Sequence, residues 1–184
     1  MAKQRKYNLV GLLFVALFTF LDQWTKRLAV LHLKDQEPFV LIKGVFELNY
    51  LENRGAAFGI FQGQRVVFLL CTLVILGLVA VCYCRLPEDK RFHPLRLTGM
   101  LLAAGAIGNM IDRAANSFVV DFLYFKLIDF PVFNVADCYV TVGAALLALL
   151  ILFYYKEDEL SFLFGKRSKE GAKKEAQDGR KEKV

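Results

Sequence analysis

Three aspartates, Asp121, Asp129 and Asp137, fall within the segment 119–137, VVDFLYFKLIDFPVFNVAD, directly ahead of a long apolar run that begins at Cys138. Asp121 follows Val119-Val120 and precedes Phe122, and Asp137 follows Phe133-Asn134-Val135-Ala136. In such apolar settings a carboxylate is partly desolvated and resists ionisation. Asp129, close to Pro131, has the surroundings of a turn residue. Brought together, Asp121 and Asp137 would share one proton, because neighbouring like charges do not both ionise easily, leaving one base and one acid. A water held between them could then be activated against a carbonyl while the developing oxyanion is protonated, which is general acid/base hydrolysis of an amide. The plain alternative is a pair of helix caps or loop carboxylates, since Asp ahead of a helix is a preferred cap.

These carboxylates need elements to hold them, and the composition points to a membrane. Of 184 residues 56% are hydrophobic, more than an ordinary soluble domain carries. Charge-poor runs at about 9–21, 66–84, 97–111 and 138–155 read as membrane-spanning helices, some completed by polar flanks to the roughly 20 residues a bilayer needs. With those flanks the spans are about 8–30, 66–84, 95–113 and 138–155. Lys3, Arg5 and Lys6 precede the first span, Arg85, Lys90, Arg91 and Arg96 fill the second loop, and the tail after Lys156 is rich in lysine. The positive-inside rule puts both termini and that loop in the cytoplasm. The formal net charge of +6 follows from this topology and gives no reason to expect nucleic acid.

The first apolar run resembles a secretory signal, but no small-x-small cleavage site follows it, so it is expected to stay as a span. Near its outer end Asp22 and Lys26 are one turn apart on one helix face, where a salt bridge lowers the cost of both charges. Lys26 could instead snorkel to the interface. Phe39–Ile42 and Val45–Leu51 flank Lys43-Gly44 and read as a β-hairpin, an outer platform whose apolar strand faces could lie on the lipid surface. The segment 52–59, ENRGAAFG, is rich in small residues and offers the Asn53 amide. The second span is uninterrupted apolar sequence and reads as structural.

In the third span Gly99, Ala103, Ala104, Gly105 and Gly108 give the small-residue spacings of tight helix packing. It ends in Asn109-Met110-Ile111-Asp112-Arg113, where Arg113 could pair with Asp112 or a neighbouring carboxylate. Tyr154-Tyr155 reads as an aromatic belt at the inner interface. The tail 156–184 mixes both charge signs and is expected to be disordered, with a weak attraction to anionic lipid. Cys71, Cys82, Cys84 and Cys138 form no CxxC, and His32 and His93 lie far apart. No metal site or cofactor is expected, and neither histidine is a catalytic candidate. The topology gathers Asp22, Lys26, Asn109, Asp112, Asn134 and Asp137 at one membrane face. A proton path would instead spread polar groups through the membrane depth, and the inner halves read as almost purely apolar.

The segments D22-Q-W-T-K26, N53-R-G-A-A-F58, G105-A-I-G-N-M-I-D-R113, V119-V-D-F122 and F133-N-V-A-D137, in this order over about residues 9–155, closely resemble the bacterial lipoprotein signal peptidase (signal peptidase II) family. The departures noted are Ala104 and Cys138, where many members are expected to carry small or hydroxylated residues. The resemblance implies an all-α membrane protein of four transmembrane helices with a small extracytoplasmic β-rich cradle, here about 36–62, in a membrane-embedded peptidase domain 1–155 of the bacterial cytoplasmic membrane. It implies an aspartic endopeptidase that cuts prolipoproteins just before a diacylglyceryl-modified cysteine, with no metal or other cofactor, the active site toward the outer face, lipid as a partner and globomycin as inhibitor. The catalytic pair maps to Asp121 and Asp137. The supporting positions map to Asp22, Lys26, Asn53, Gly55, Gly105, Gly108, Asn109, Asp112, Arg113, Asn134 and Ala136. The rival expectation is a small transporter or channel subunit whose acidic residues carry ions.

Overall fold

The computed structural model describes residues 2–55, 63–156 and 158–160. The last part of the small-residue segment, 56–62, and nearly all of the charged tail lie outside the described residues. Among the described residues four helices are long and apolar enough to cross a membrane: Gln4–His32, Arg65–Arg85, Lys90–Asn116 and Val135–Tyr154. In chain order these belong to α1 (Ala2–His32), α2 (Arg65–Arg85), α3 (His93–Asn116, entered through a 3₁₀ turn at Lys90–Phe92) and α4 (Val135–Leu149, continued by a π turn at Leu150–Tyr154). Helix α3 is central and packs against α1, α2 and α4. Helix α2 has no buried residue, as suits a rod whose apolar surface meets lipid and whose backbone groups bond within the helix.

The close approach of α3 to α4 depends on missing side chains. A Cβ at Gly105 would strike the Ala136 carbonyl, and one at Gly108 would strike the Asp22 carboxylate. Helix α3 starts with Pro94 in its first turn, where a missing N–H costs nothing, and stops at Ser117 in the left-handed region with φ 66°. Helix α4 starts at Asn134 through a capping box. The Asn134 side chain accepts from the Asp137 N–H while the Asp137 side chain accepts from the Asn134 N–H.

The sheet has three antiparallel strands in the order β1 (Phe39–Ile42), β2 (Phe46–Asn53), β3 (Val119–Tyr124). Gly44, at φ 74°, makes the hairpin turn between β1 and β2. Strand β3 pairs Leu51 with Asp121 and Asn53 with Val119, bringing the end of the outer loop to the first carboxylate. The β-branched and aromatic content of Val119–Tyr124 favours a strand, yet the alternation of apolar and polar residues is absent because four of its six residues, Val119 to Phe122, are buried.

Several expectations change. Helix α4 begins at Val135, so Asp137 lies inside its first turn and Asn134 takes the cap position. Strand β2 runs to Asn53, two residues beyond the expected hairpin. Helix α3 starts at His93, so Arg96 belongs to the helix and not the loop. The half of the bundle expected to face the cytoplasm is also less apolar than its sequence implied. Arg96 is buried there, donating to the carbonyls of Leu86 and Pro87, with its guanidinium over the rings of Tyr7 and Tyr83.

Candidate active site

At the other end of the bundle, β3 and the first turn of α4 bring Asp121 and Asp137 to the wall of one cavity of about 530 Å³, shared with Asn53, Asn109, Arg113 and Cys138. Asn134, fully buried behind this wall, joins the two carboxylates. Its Nδ2 donates to Asp121 Oδ1 at 2.5 Å and its backbone N–H donates to Asp137 Oδ2 at 3.1 Å. The remaining oxygens are met from other elements. Asn53 Nδ2, at the end of β2, donates to Asp121 Oδ2 at 2.8 Å, and Asn109 Nδ2, on α3, donates to Asp137 Oδ1 at 2.7 Å. Every carboxylate oxygen of the pair therefore accepts one N–H. The outer loop is tied in as well: Asn53 Oδ1 accepts from the Gly55 N–H at 2.9 Å, and Arg113 donates to the Gly55 carbonyl at 3.2 Å.

Burial pushes the Asp121 carboxyl from its ordinary 3.8 up to about 7, and the nearby Asp137 charge adds to the rise, while the amides of Asn53 and Asn134 oppose it. A carboxyl poised near neutrality can both give and take a proton at working pH. The arrangement is thus able to hold a water or a carbonyl against a carboxyl that can exchange a proton with it.

Behind the pair lies a second charged layer. Lys26 Nζ sits 2.9 Å from Asp22 Oδ2 and 3.0 Å from Asp112 Oδ2, with all three side chains at most 5% exposed. Lys26 does not snorkel. Asp22 Oδ1 accepts from the Ala136 N–H at 2.8 Å, and Asp112 Oδ2 accepts from the Val120 N–H at 3.2 Å. The backbone immediately before Asp137 is thereby anchored to α1, and that before Asp121 to α3. Gly105 and Gly108 let α4 and Asp22 approach α3 closely enough for these bonds.

The candidate catalytic and supporting residues lie in or directly behind this site. The pairing expected of Arg113 is different, however. Asp112 is engaged by Lys26, and the Arg113 guanidinium reaches the Gly55 carbonyl and the Phe68 ring, 4.6 Å to its centroid. Gln23, to which the sequence pattern assigns no role, also belongs to this layer. Its Nε2 lies 3.2 Å from Asp22 Oδ2, 3.1 Å from the Gly108 carbonyl and 3.0 Å from Asp112 Oδ1. A polar amide next to Asp22 within an apolar span was the available signal. Asp129 behaves as a turn residue, with φ 47° and its carboxylate accepting from the Tyr124 hydroxyl.

Known proteins resemble this chain in both fold and overall sequence. A bacterial membrane enzyme solved by the in meso method at 2.3 Å superposes with a TM-score of 0.68 at 31% identity, over 80% of this chain and 92% of the other. A second such structure, at 1.9 Å, gives 0.66 at 31% identity over 79% and 94%. The family model described as signal peptidase (SPase) II matches residues 14–153. A lipoprotein signal peptidase of Caldanaerobacter subterraneus subsp. tengcongensis is 41% identical over 145 residues, covering 78% of this chain and 97% of the relative. One from Brevibacillus brevis is 43% identical over 137 residues, covering 74% and 91%. Fold and family together define a membrane-embedded aspartic protease, a hydrolase, and set aside the transport alternative. The chain belongs to the signal peptidase II family.

Proposed function

We propose that this protein cleaves signal peptides from prolipoproteins, on the N-terminal side of a diacylglyceryl-modified cysteine, with Asp121 and Asp137 as a catalytic dyad. The observation that carries the dyad is Asn134, whose side-chain and backbone N–H groups each hold one carboxylate at the wall of a single cavity. In the resting site the two carboxyls share one proton and hold a water between them. As the scissile carbonyl enters, the ionised member takes a proton from the water and the protonated member donates to the carbonyl oxygen, giving a tetrahedral intermediate. The roles then reverse as the amine departs. Because coupled carboxyls exchange protons as a unit, neither aspartate is assigned as the acid.

Asn53, Asn109 and Asn134 hold the carboxylates in place. Asp22 and Asp112, bridged by Lys26, and Arg113, through the Gly55 carbonyl, brace the walls. The half-exposed apolar residues of the sheet suit a lipidated substrate arriving from the bilayer. Charge in the short loops supports termini in the cytoplasm and a dyad toward the outer face, with 1–155 as the peptidase body and 156–184 as a cytoplasmic tail. Globomycin is expected to compete for the cavity. The test is processing of a diacylglyceryl-modified precursor in membranes containing Asp121→Asn or Asp137→Asn protein. Each variant is expected to lose about 10²- to 10⁴-fold in rate, and full cleavage by either removes that residue from the dyad.

A further inference from the structure

The Lys26 ammonium, only 2% exposed, has three N–H donors and meets three oxygens: Asp22 Oδ2 at 2.9 Å, Asp112 Oδ2 at 3.0 Å and Asn109 Oδ1 at 2.9 Å. The third contact has a directional consequence. Lysine offers no acceptor, so Asn109 must turn its oxygen toward Lys26, and that leaves Nδ2 facing Asp137 Oδ1 at 2.7 Å. Asn134 Nδ2 donates to the same Asn109 oxygen at 3.2 Å, but it is also committed to Asp121, and Asn134 Oδ1 is committed to the Asp137 N–H at 3.0 Å. An isolated asparagine can turn either end toward a carboxyl group. Nδ2 supports the ionised form, and Oδ1 would support the protonated one.

We propose that Lys26 is a positioning residue that acts on the reaction through Asn109, by fixing which end of that amide faces Asp137. The proposal rests on the dyad reading above and adds the relay that keeps one member of the pair supplied with an N–H. The carboxylates flanking Lys26 serve the same end by another route. Asp22 and Asp112 hold the backbone N–H groups of Ala136 and Val120, one residue before each member of the dyad, and Gln23 spans the two carboxylates. Lys26 therefore neutralises the anchors while aligning the amide, whereas a purely structural ion pair would do only the former.

A double-variant cycle separates these roles. Purified protein in proteoliposomes is assayed on a diacylglyceryl-modified precursor as wild type, Lys26→Met, Asn109→Ala and the double variant. The expected result is a fall in kcat of about 10- to 100-fold for each single variant, the scale of a misplaced reacting group, with KM little changed. The double variant is expected to be no slower than the slower single variant. Losses that multiply, or a Lys26→Met effect confined to KM, overturn the proposal. If Lys26→Met does not fold in detergent, Asp112→Asn and Lys26→Met/Asp112→Asn, which removes one charge of each sign, replace wild type and Lys26→Met, and the same dependence on Asn109 is required. Asp121→Asn and Asp137→Asn are run in parallel. Cleavage by those variants overturns the dyad itself, while inactive dyad variants with a multiplicative cycle overturn only the role of Lys26.

Discussion

Lys26 and Arg96 are both buried cations in a helix bundle, at opposite ends of it, and their surroundings have little in common. Lys26 spends its three donors on two carboxylates and an amide, each of which bonds Asp137 or the backbone just before one of the proposed catalytic aspartates. Arg96 is 3% exposed and bonds two backbone carbonyls through one nitrogen. Its Nε and Nη1 have no hydrogen-bond partner among the described residues. Its planar group lies over Tyr7 and Tyr83, at 4.4 and 5.2 Å to their centroids, so α1, α2 and α3 meet around it through ring contacts. One charge is a junction in a directional network and the other is a fastener. A buried cation in this membrane protein is thus informative about function only through what its partners do next.

That contrast can be broken at several points. The heaviest loss is expected from the dyad variants described above. Gly108→Ala should come next, because the new methyl group has to displace the Asp22 carboxylate. Overpacking of this kind costs about 1–3 kcal/mol, and here it also moves the Lys26 layer, so both kcat and the thermal midpoint of the detergent-solubilised protein should fall. A small effect on both would mean that α1 yields freely and the network is looser than its bond lengths imply.

The raised Asp121 pKa gives a pH signature with a definite sign. Its carboxyl titrates near 3.8 when unfolded and near 7 when folded, so across that interval the folded state binds more protons. This group's contribution to stability therefore declines as pH rises from about 4 to about 7. Asp121→Asn removes the decline. The variant should be inactive yet gain in thermal midpoint relative to wild type at pH 8, with a smaller difference at pH 5. An unchanged difference between the two pH values would show that burial of this carboxylate is not what strains the site.

The smallest change is expected at the Arg96 end of the bundle. Arg96→Met keeps the stem and loses the ring contacts and the bonds to Leu86 and Pro87, so unfolding free energy should drop by about 1–2 kcal/mol while kcat and KM stay near wild type. A kcat loss comparable to that of Lys26→Met would erase the distinction between the two cations.

Much of this site was legible because charged and amide residues in apolar runs are conspicuous. Asp22, Lys26, Asn109, Asp112, Asn134 and Asp137 could be assigned to one face from span direction alone. What the pattern could not supply was β3. Buried at Val119–Phe122, it lacks the period of two that betrays a half-exposed strand. Asp137 was placed ahead of the last helix because the apolar run starts after it, whereas Asn134 takes the cap and draws the aspartate into the first turn. Arg96 was read as a loop charge, since nothing local announces two tyrosines from other helices closing over it. Each miss concerns a partner distant in the chain.

The bond from Asp22 to the Ala136 N–H spans 114 residues, and it orders events during biosynthesis. The first helix enters the bilayer long before the ribosome has made the last, so Asp22 must wait there without its final partner. The one-turn bridge to Lys26 shields it meanwhile, using nothing outside that helix. A nascent chain accordingly lacks the assembled site until its fourth helix arrives, and products truncated before it are expected to be inert.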